Sequence, residues 1–235
     1  MKRHFQNELE ALRTSLVKMG SVVEEALKMS VCAVLEKDES VVKKVLEAEE
    51  RINSLELEID HALLDLLALQ QPVASDLRLI LAVQKINNDL ERMGDHAVNI
   101  VQSAVVLKDM PDAGMLQEIP RMAEVTLAMV KQGLDSVINT DTSLAIEVLK
   151  ADDGIDDMNR TVARKVIELV KRDPATIGQG LELIRVSRNL ERVADLTTNI
   201  AEDVLFYAQA RVVKHHAEEK DDTHREVYHE SGRSQ

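Results

Sequence analysis

The sequence predicts an all-α protein built from two tandem three-helix bundles, and three observations support this fold class. Aromatic residues make up only 2% of the 235 residues, so the core must consist of aliphatic side chains and methionine, which suits packed helices. The 8 glycines and 4 prolines are few for this length, which favours long elements with few breaks. Apolar residues also recur at three- and four-residue spacing, and much of the first half recurs in the second half.

The first half is predicted to contain three helices. Residues 5–36 carry apolar positions at helical spacing throughout. A second helix, about 39–70, follows Asp38, which is a suitable N-cap. This helix ends before Pro72, because proline lacks the N–H group that would continue the helix. The third helix runs from just after Pro72 to about Lys108.

The second half repeats this pattern. Met19 to Asn53 aligns without a gap on Met122 to Asp156, at an offset of 103 residues. Pro174 is the counterpart of Pro72 and opens a sixth helix at about 175–210. A tandem duplication of one three-helix unit is therefore predicted, and each unit is long enough to bury a core along its amphipathic helices.

The predicted domain boundaries follow from this repeat. The first bundle occupies 1–110 and the second occupies 115–210. The loop that divides them contains Pro111, Gly114 and Pro120. Residues 211–235 are polar, rich in charge and histidine, and have no apolar face, so this tail is predicted to be disordered.

The strongly acidic composition excludes some classes of partner. A net charge of −13 argues against binding to nucleic acid, whose phosphates need a basic surface. An anionic membrane would also repel the chain, so membrane contact is expected only indirectly, through partners. The sequence shows neither a signal peptide nor an apolar run of bilayer-spanning length, which predicts a cytoplasmic protein. An acidic surface of this kind suits cations or basic partner surfaces.

One motif occurs twice, at residues 90–100 and at 190–200, with six identical positions at an offset of 100. Residues four apart on a helix lie nearly above one another, so each copy presents a line of oxygen-bearing side chains. The first acidic stripe consists of Glu91, Asp95 and Asn99, and the second acidic stripe consists of Glu191, Asp195 and Asn199. Stacked carboxylates repel one another. Their repetition therefore indicates that something positive lies against each stripe.

The preceding helix of each half carries a second line of oxygen donors. These residues are Glu49, Asn53, Glu56 and Asp60 in the first half, and Asp152, Asp156 and Asn159 in the second half. If the helices pack antiparallel, the two lines of each half face each other and assemble four or more oxygen ligands. Such a set suits Fe, Mn, Mg, Ca or, less favourably, Zn. From the residues alone a solvated helical face is the leading interpretation, since a run of charges usually is one; a metal site and a strip that binds a basic partner are the alternatives, and the repetition of the stripe favours these two.

No catalytic residues are predicted. A ferritin-like di-iron bundle needs two Glu-x-x-His pairs and two further inward-facing glutamates. Glu58 and His61 have this spacing, but they point away from the line of donors on their helix. The other match, Glu226 with His229, lies in the polar tail. Motifs for a phosphate-binding loop, a redox cysteine pair or a nucleophilic triad are absent from the sequence. A metal-binding helical bundle, such as an iron store or an oxidase, is the alternative function.

Several stretches resemble the PhoU family of phosphate-signalling regulators. The most specific are residues 71–78 and the region 89–100 that contains the first acidic stripe. Residues 191–195 match the family's repeated motif, Glu/Asp-x-x-x-Asp, and residues 16–24 fit its opening. The resemblance spans residues 5–210. The second half is the looser match, because alanine stands at position 194 where the first half has glycine.

The resemblance implies a pair of three-helix bundles related by pseudo-twofold symmetry. It also implies a non-enzymatic negative regulator of the phosphate-starvation response. Such proteins associate with the high-affinity phosphate ABC transporter, including its ATPase component, and with a sensor histidine kinase. They keep the kinase inactive when phosphate is plentiful. Dimers are common in the family, so a homodimer is expected.

The resemblance also implies a metal site, because some family members bind iron or zinc clusters on the acidic motifs. The implied ligands are Glu91, Asp95, Glu191 and Asp195, with Glu49, Asn53, Asp152 and Asp156 as helpers and with Asn99 and Asn199 completing the stripes. The expected mechanism is docking, in which the acidic faces, with or without metal, bind basic partner surfaces. Inhibition would follow from holding one conformation of the kinase.

Overall fold

The structure, a computed structural model, describes residues 2–70, 72–110 and 116–209. These ranges contain six α-helices and no β-strand, so the all-α prediction is confirmed. The helices are α1 (Lys2–Glu36), α2 (Val42–Gln70), α3 (Ser75–Lys108), α4 (Glu118–Asn139), α5 (Thr142–Arg172) and α6 (Ile177–Gln209). Two short 3-10 turns, Glu39–Val41 and Pro174–Thr176, lead into α2 and α6.

The helices form two three-helix bundles joined through their last members. In the first bundle α1 packs against α2 and α3, and in the second α4 packs against α5 and α6. Helices α3 and α6 lie antiparallel along each other, and α1 also contacts α4. We call the line of contact between α3 and α6 the seam. The two acidic stripes are thereby placed on the two central helices of the molecule.

The turn between the first two helices of each bundle is repeated in detail. Lys37 and Thr140, at equivalent positions, both have positive φ, at 54° and 53°. Asp38 accepts hydrogen bonds from the backbone N–H and hydroxyl of Ser40, at 2.8 and 2.9 Å. Asp141 caps α5 in the same way, accepting from the N–H groups of Ser143 and Leu144. The prediction that Asp38 caps the following helical segment is confirmed.

One boundary prediction is wrong. The sequence places Pro120 in the dividing loop, but Pro120 is the third residue of α4. Proline is tolerated there because the first turn of a helix has no internal acceptors for its N–H groups. The other two loop residues, Pro111 and Gly114, lie outside the described residues, as does the predicted tail 211–235.

The core is continuous across both bundles and is aliphatic, as the composition requires. Equivalent residues occupy equivalent places in it, since Met19 and Met122 are fully buried, as are Leu90 and Leu190. Among the described helices, none has the length and apolar character needed to cross a bilayer.

Candidate functional site

The first acidic stripe meets carboxylates from α2. Burial raises the pKa of Glu91, and the negative charges of Asp95, Glu56 and Glu49 raise it further, against the opposing charge of Arg92. The structure therefore brings together the two lines of donors that the sequence predicts on adjacent helices. We call Glu49, Glu56, Glu91 and Asp95 the first acidic cluster.

The α2 side of this cluster is held by short polar contacts. Asn53 donates a hydrogen bond through Nδ2 to Oε1 of Glu49, at 2.6 Å. Burial raises the pKa of Glu56, and repulsion from Asp60 adds to the effect. Asp60 itself accepts hydrogen bonds from Gln84 and Asn87 of α3, at 3.0 and 2.9 Å. These contacts fix the register between α2 and α3.

The second bundle repeats the arrangement, but here the positive charge of Arg192 offsets the repulsion between the carboxylates more strongly. Burial raises the pKa of Glu191, and the charges of Asp195 and Asp156 raise it further, against Arg192. Burial also raises the pKa of Asp195, again against Arg192, which bonds to it at 2.9 Å. Asp152 is half-buried one turn before Asp156 on α5. We call Asp156, Glu191 and Asp195 the second acidic cluster.

The last residue of each stripe lies at the seam. Asn99 accepts a hydrogen bond at 3.4 Å from Arg185 of α6, and Asn199 donates one to Asp89 of α3. The two amides therefore contact the opposite bundle, whereas the glutamate of each stripe interacts with carboxylates of its own bundle's α2 or α5.

A polar network at the seam was missed by the sequence reasoning. At one end Lys85 bonds to buried Asp203 at 2.6 Å. Burial raises the pKa of Asp89 to about 6, against the opposing charge of Arg92. We call Lys85, Asp89, Asn199 and Asp203 the charged end of the seam. The available signal was charge next to the apolar line of α3 and α6, but pairing between the halves is not visible in the sequence.

The other end of the seam, with mostly neutral partners, uses the positions equivalent to Lys85, Asp89 and Asn199. Arg185 donates to Oε1 of Gln102 at 2.9 Å, and Nδ1 of His96 lies 2.8 Å from Oδ1 of Asn189. We call His96, Asn99, Gln102, Arg185 and Asn189 the amide end. His96 also places positive charge near Asp195 when it is protonated, which opposes the raised pKa of that carboxyl.

The chemistry of the site is concentrated negative charge, presented twice. The predicted ligands offer carboxylate and amide oxygens, which are donors for hard cations. Within residues 2–70, 72–110 and 116–209, no three His, Cys, Asp or Glu side chains are grouped closely enough to hold one ion. The metal assignment of the ten predicted ligands therefore stays a prediction.

Comparison with known proteins identifies two matching regions. The PhoU domain family model matches residues 16–104 and residues 119–204, one region in each bundle. The two matched ranges lie inside the predicted domains 1–110 and 115–210.

Individual relatives match nearly the whole chain. The phosphate-specific transport system accessory protein PhoU homolog of Pseudomonas putida is 34% identical over 216 residues, covering 92% of this chain and 84% of the relative. The phosphate-specific transport system accessory protein PhoU of Escherichia coli K12 is 29% identical over 211 residues, covering 90% and 88%.

Solved structures share the fold. PhoU from Pseudomonas aeruginosa superposes with a TM-score of 0.86 at 33% identity, covering 88% of this chain and 100% of that one. The phosphate transport system regulatory protein PhoU from Streptococcus pneumoniae gives a TM-score of 0.83 at 27% identity, covering 90% and 100%.

Proposed function

Because the chain belongs to the PhoU family, we propose that it is an accessory protein of phosphate-specific transport, as its relatives are named. In the finer form of the proposal, it is a non-enzymatic cytoplasmic regulator that represses the phosphate-starvation response. It would do so by coupling the high-affinity phosphate ABC transporter, through its ATPase component, to a sensor histidine kinase.

The observation that carries this proposal is the pair of acidic clusters at equivalent places in the two bundles. In each cluster, repulsion between carboxylates adds to burial in raising the pKa of a central glutamate, Glu91 or Glu191. A basic surface placed against such a cluster relieves this repulsion, so the free energy of docking includes the loss of an unfavourable interaction. The clusters therefore favour a positively charged partner.

Docking gives regulation without chemistry. A protein that binds one conformation of a kinase more tightly than another shifts the population toward the bound form. The size of the shift is limited by the difference in affinity for the two conformations. The proposed repressor therefore acts by stabilising the inactive conformation of the kinase while phosphate is plentiful.

The test is charge neutralisation with matched controls. We expect Glu91→Gln with Asp95→Asn, and Glu191→Gln with Asp195→Asn, to weaken binding to the purified ATPase component or to the cytoplasmic part of the kinase. Expression of starvation-induced genes should then rise in phosphate-rich medium. Glu10→Gln with Asp157→Asn removes the same charge from two exposed carboxylates outside the clusters and should leave both readouts unchanged. Intact binding and intact repression in all cluster variants would refute the proposal.

A metal ion is the second candidate occupant, because the acidic clusters carry carboxylate oxygens; in the described residues no three of these side chains surround one point, so an ion would have to draw them together. The experiment is elemental analysis of the tag-free protein and of the four cluster substitutions. Stoichiometric iron or zinc that disappears in these variants would assign the clusters as ligands. Oxygen consumption with ferrous iron then separates an oxidase or iron store from a regulator. Absence of metal in every sample would leave the clusters as partner-facing charge.

A further inference from the structure

Large aliphatic side chains are exposed at four pairs of equivalent positions in the two bundles; one pair, Leu35 and Ile138, lies on α1 and α4, and the other three pairs form a triad in each bundle. The first triad is Leu64, Leu77 and Leu81, and the second triad is Ile167, Ile177 and Leu181. These six side chains are between 37% and 63% exposed. The α2 and α5 members are related by the offset of 103, and the α3 and α6 members by the offset of 100. Single exposed aliphatic residues are normal on a protein surface, but the same trio in both bundles is a repeated feature.

Register places the members of each triad together. The hydrogen bond from Gln84 to Asp60 sets α2 antiparallel to α3 at that level. One turn further along, Leu64 is level with Leu81. In the second bundle the hydrogen bond from Ser187 to Asn159 does the same for α5 and α6. Ile167 then lies within one turn of the level of Leu181.

The triads and the acidic stripes share one face of the molecule. Leu77 precedes Asp95, and Leu81 precedes Asn99, by 18 residues, which is five helical turns and returns to the same line. Ile177 and Leu181 bear the same relation to Asp195 and Asn199. Because Asn99 and Asn199 both contact the opposite bundle, these lines border the seam on both sides.

The triads lie at opposite ends of this face. The contact between Lys85 and Asp203 makes Leu81 level with about Tyr207 of α6. Leu181 is 26 residues away on the same helix, so the triads are about 40 Å apart at ~1.5 Å per residue. The acidic clusters occupy the middle. The face thus runs from an apolar end, across negative charge, to a second apolar end, with pseudo-twofold symmetry.

We propose that this face binds one twofold-symmetric protein partner, a homodimer that presents a basic centre and one apolar contact from each subunit. The proposal rests on the proposed docking function and specifies its geometry. A symmetric dimer carries two identical contacts related by a twofold axis. A single chain with two equivalent repeats can bind both contacts at once, one with each repeat. The negative charge between the triads selects a basic centre in that partner.

Bivalence gives the proposal a distinctive signature. Once one triad is bound, the second contact is intramolecular, and the resulting gain in affinity is about 10²–10⁴-fold. Loss of either triad therefore removes most of the affinity, and the complex contains one chain for two partner subunits.

The experiment uses the full chain and three triple variants. The first carries Leu64→Ser, Leu77→Ser and Leu81→Ser, and the second carries Ile167→Ser, Ile177→Ser and Leu181→Ser. The control carries Leu57→Ser, Ile138→Ser and Ile146→Ser at comparably exposed positions outside the triads. Each is titrated with the purified ATPase component and with the cytoplasmic part of the kinase, and the stoichiometry is measured by sedimentation. Unchanged helical circular dichroism and melting temperature establish that each variant is folded.

We expect each triad variant to bind about 100-fold more weakly, the control to bind as the parent does, and the parent complex to contain two partner subunits. Unchanged affinity in both triad variants overturns the inference. If the cluster substitutions still abolish binding in that case, the proposed docking function stands alone, and if they do not, both fail. If each triad variant binds half as many partner subunits as the parent, with unchanged affinity, the inference is overturned, because the two triads then bind two separate partners. A parent chain that self-associates, and becomes monomeric in the triad variants, assigns the face to a second copy instead.

Discussion

The two ends of the seam are built on equivalent positions but hold the bundles together in different ways. At the charged end Lys85 faces two buried carboxylates, Asp89 and Asp203. At the amide end the counterpart of Lys85 is Arg185, which donates to neutral side-chain oxygens of α3 and, among the described residues, forms an ion pair, at 3.8 Å, only with Glu182 of its own helix. Duplication has preserved the antiparallel geometry of α3 and α6 while the polar partners have diverged. The two ends therefore share the packing of α3 on α6 but not the chemistry of their polar partners.

The difference shows how burial changes the cost of losing a partner. At the amide end only the donor, Arg185, is charged, and its side chain is 40% exposed, so its hydrogen bonds contribute about 1.5 kcal/mol, the lower end of the range for bonds with one charged partner. Removing the positively charged partner of a buried carboxylate costs about 3–5 kcal/mol, because the negative charge is left in a medium that solvates it poorly. The charged end should therefore be far more sensitive to substitution than the amide end, and also sensitive to pH.

The largest effect should follow from Lys85→Met. This change keeps the aliphatic stem of Lys85 but removes the positive charge that opposes Asp203 and Asp89. Since Lys85 is about half exposed, we expect the lower end of the range, a loss of about 3 kcal/mol in the free energy of unfolding. Arg185→Met should cost about 1.5 kcal/mol. Chemical denaturation of both variants at pH 7 measures the difference, and equal losses would remove the distinction between the two ends.

The next effect concerns pH and Asp89, whose counterpart in the second bundle is already Asn189. The raised pKa of about 6 means that the folded chain holds this proton more tightly than the unfolded chain, where the value is 3.8. The contribution of protonated Asp89 to the free energy of unfolding is therefore fully present below pH 3.8, and it is lost as the pH rises through 6. The groups that face Asp89 are Arg92, Asp203, Asn199 and Lys85. Asp89→Asn should abolish this loss and stabilise the chain at pH 8 by about 2 kcal/mol.

The measurement for Asp89→Asn is the free energy of unfolding at pH 4.5 and pH 8, compared with the parent. The control is Asp157→Asn, which removes the same group from an exposed site on α5. Other carboxyl groups also titrate in this interval, so only the difference between variant and parent is informative. A variant that loses as much stability as the parent between the two pH values would contradict the assignment.

These sites show what the sequence could and could not predict. Helical spacing and the repeat predict the six helices, because each helix is long and its apolar line is uninterrupted. The facing of the donor lines on α2 and α3 also follows from antiparallel packing within one bundle. The seam does not follow, because the contact of Lys85 with Asp203 joins residues 118 apart and depends on how one bundle docks on the other. The first turn of α4 was missed for a local reason, since proline is compatible with both a loop and a helix start.

A smaller effect separates the two bundles at the centre of their acidic motifs, where Gly94 corresponds to Ala194. A Cβ on Gly94 would lie 3.0 Å from Cδ1 of Ile52, so the gain in helix propensity is offset by crowding. We expect Gly94→Ala to be nearly neutral alone, and to show a favourable coupling of about 1 kcal/mol with Ile52→Val, which removes that methyl group. Ala194→Gly should cost about 1 kcal/mol. A double-mutant cycle by denaturation measures the coupling, and additive effects would show that Ile52 does not restrict this position.

The smallest effect concerns Ser103, the counterpart of Asp203. Its hydroxyl oxygen is buried and has no hydrogen-bond partner within residues 2–70, 72–110 and 116–209, whereas the carboxylate at the equivalent position bonds to Lys85. An unpaired buried hydroxyl costs free energy, so Ser103→Ala should stabilise the chain by about 0.5 kcal/mol. The matched control is Ser136→Ala on α4, because that buried hydroxyl donates to the carbonyl oxygen of Gly133 at 2.7 Å and its loss should destabilise. Thermal melting of the two variants should shift in opposite directions. A shift in the same direction would mean that the Ser103 hydroxyl has a partner at the seam, so that both ends satisfy their polar groups despite their different chemistry.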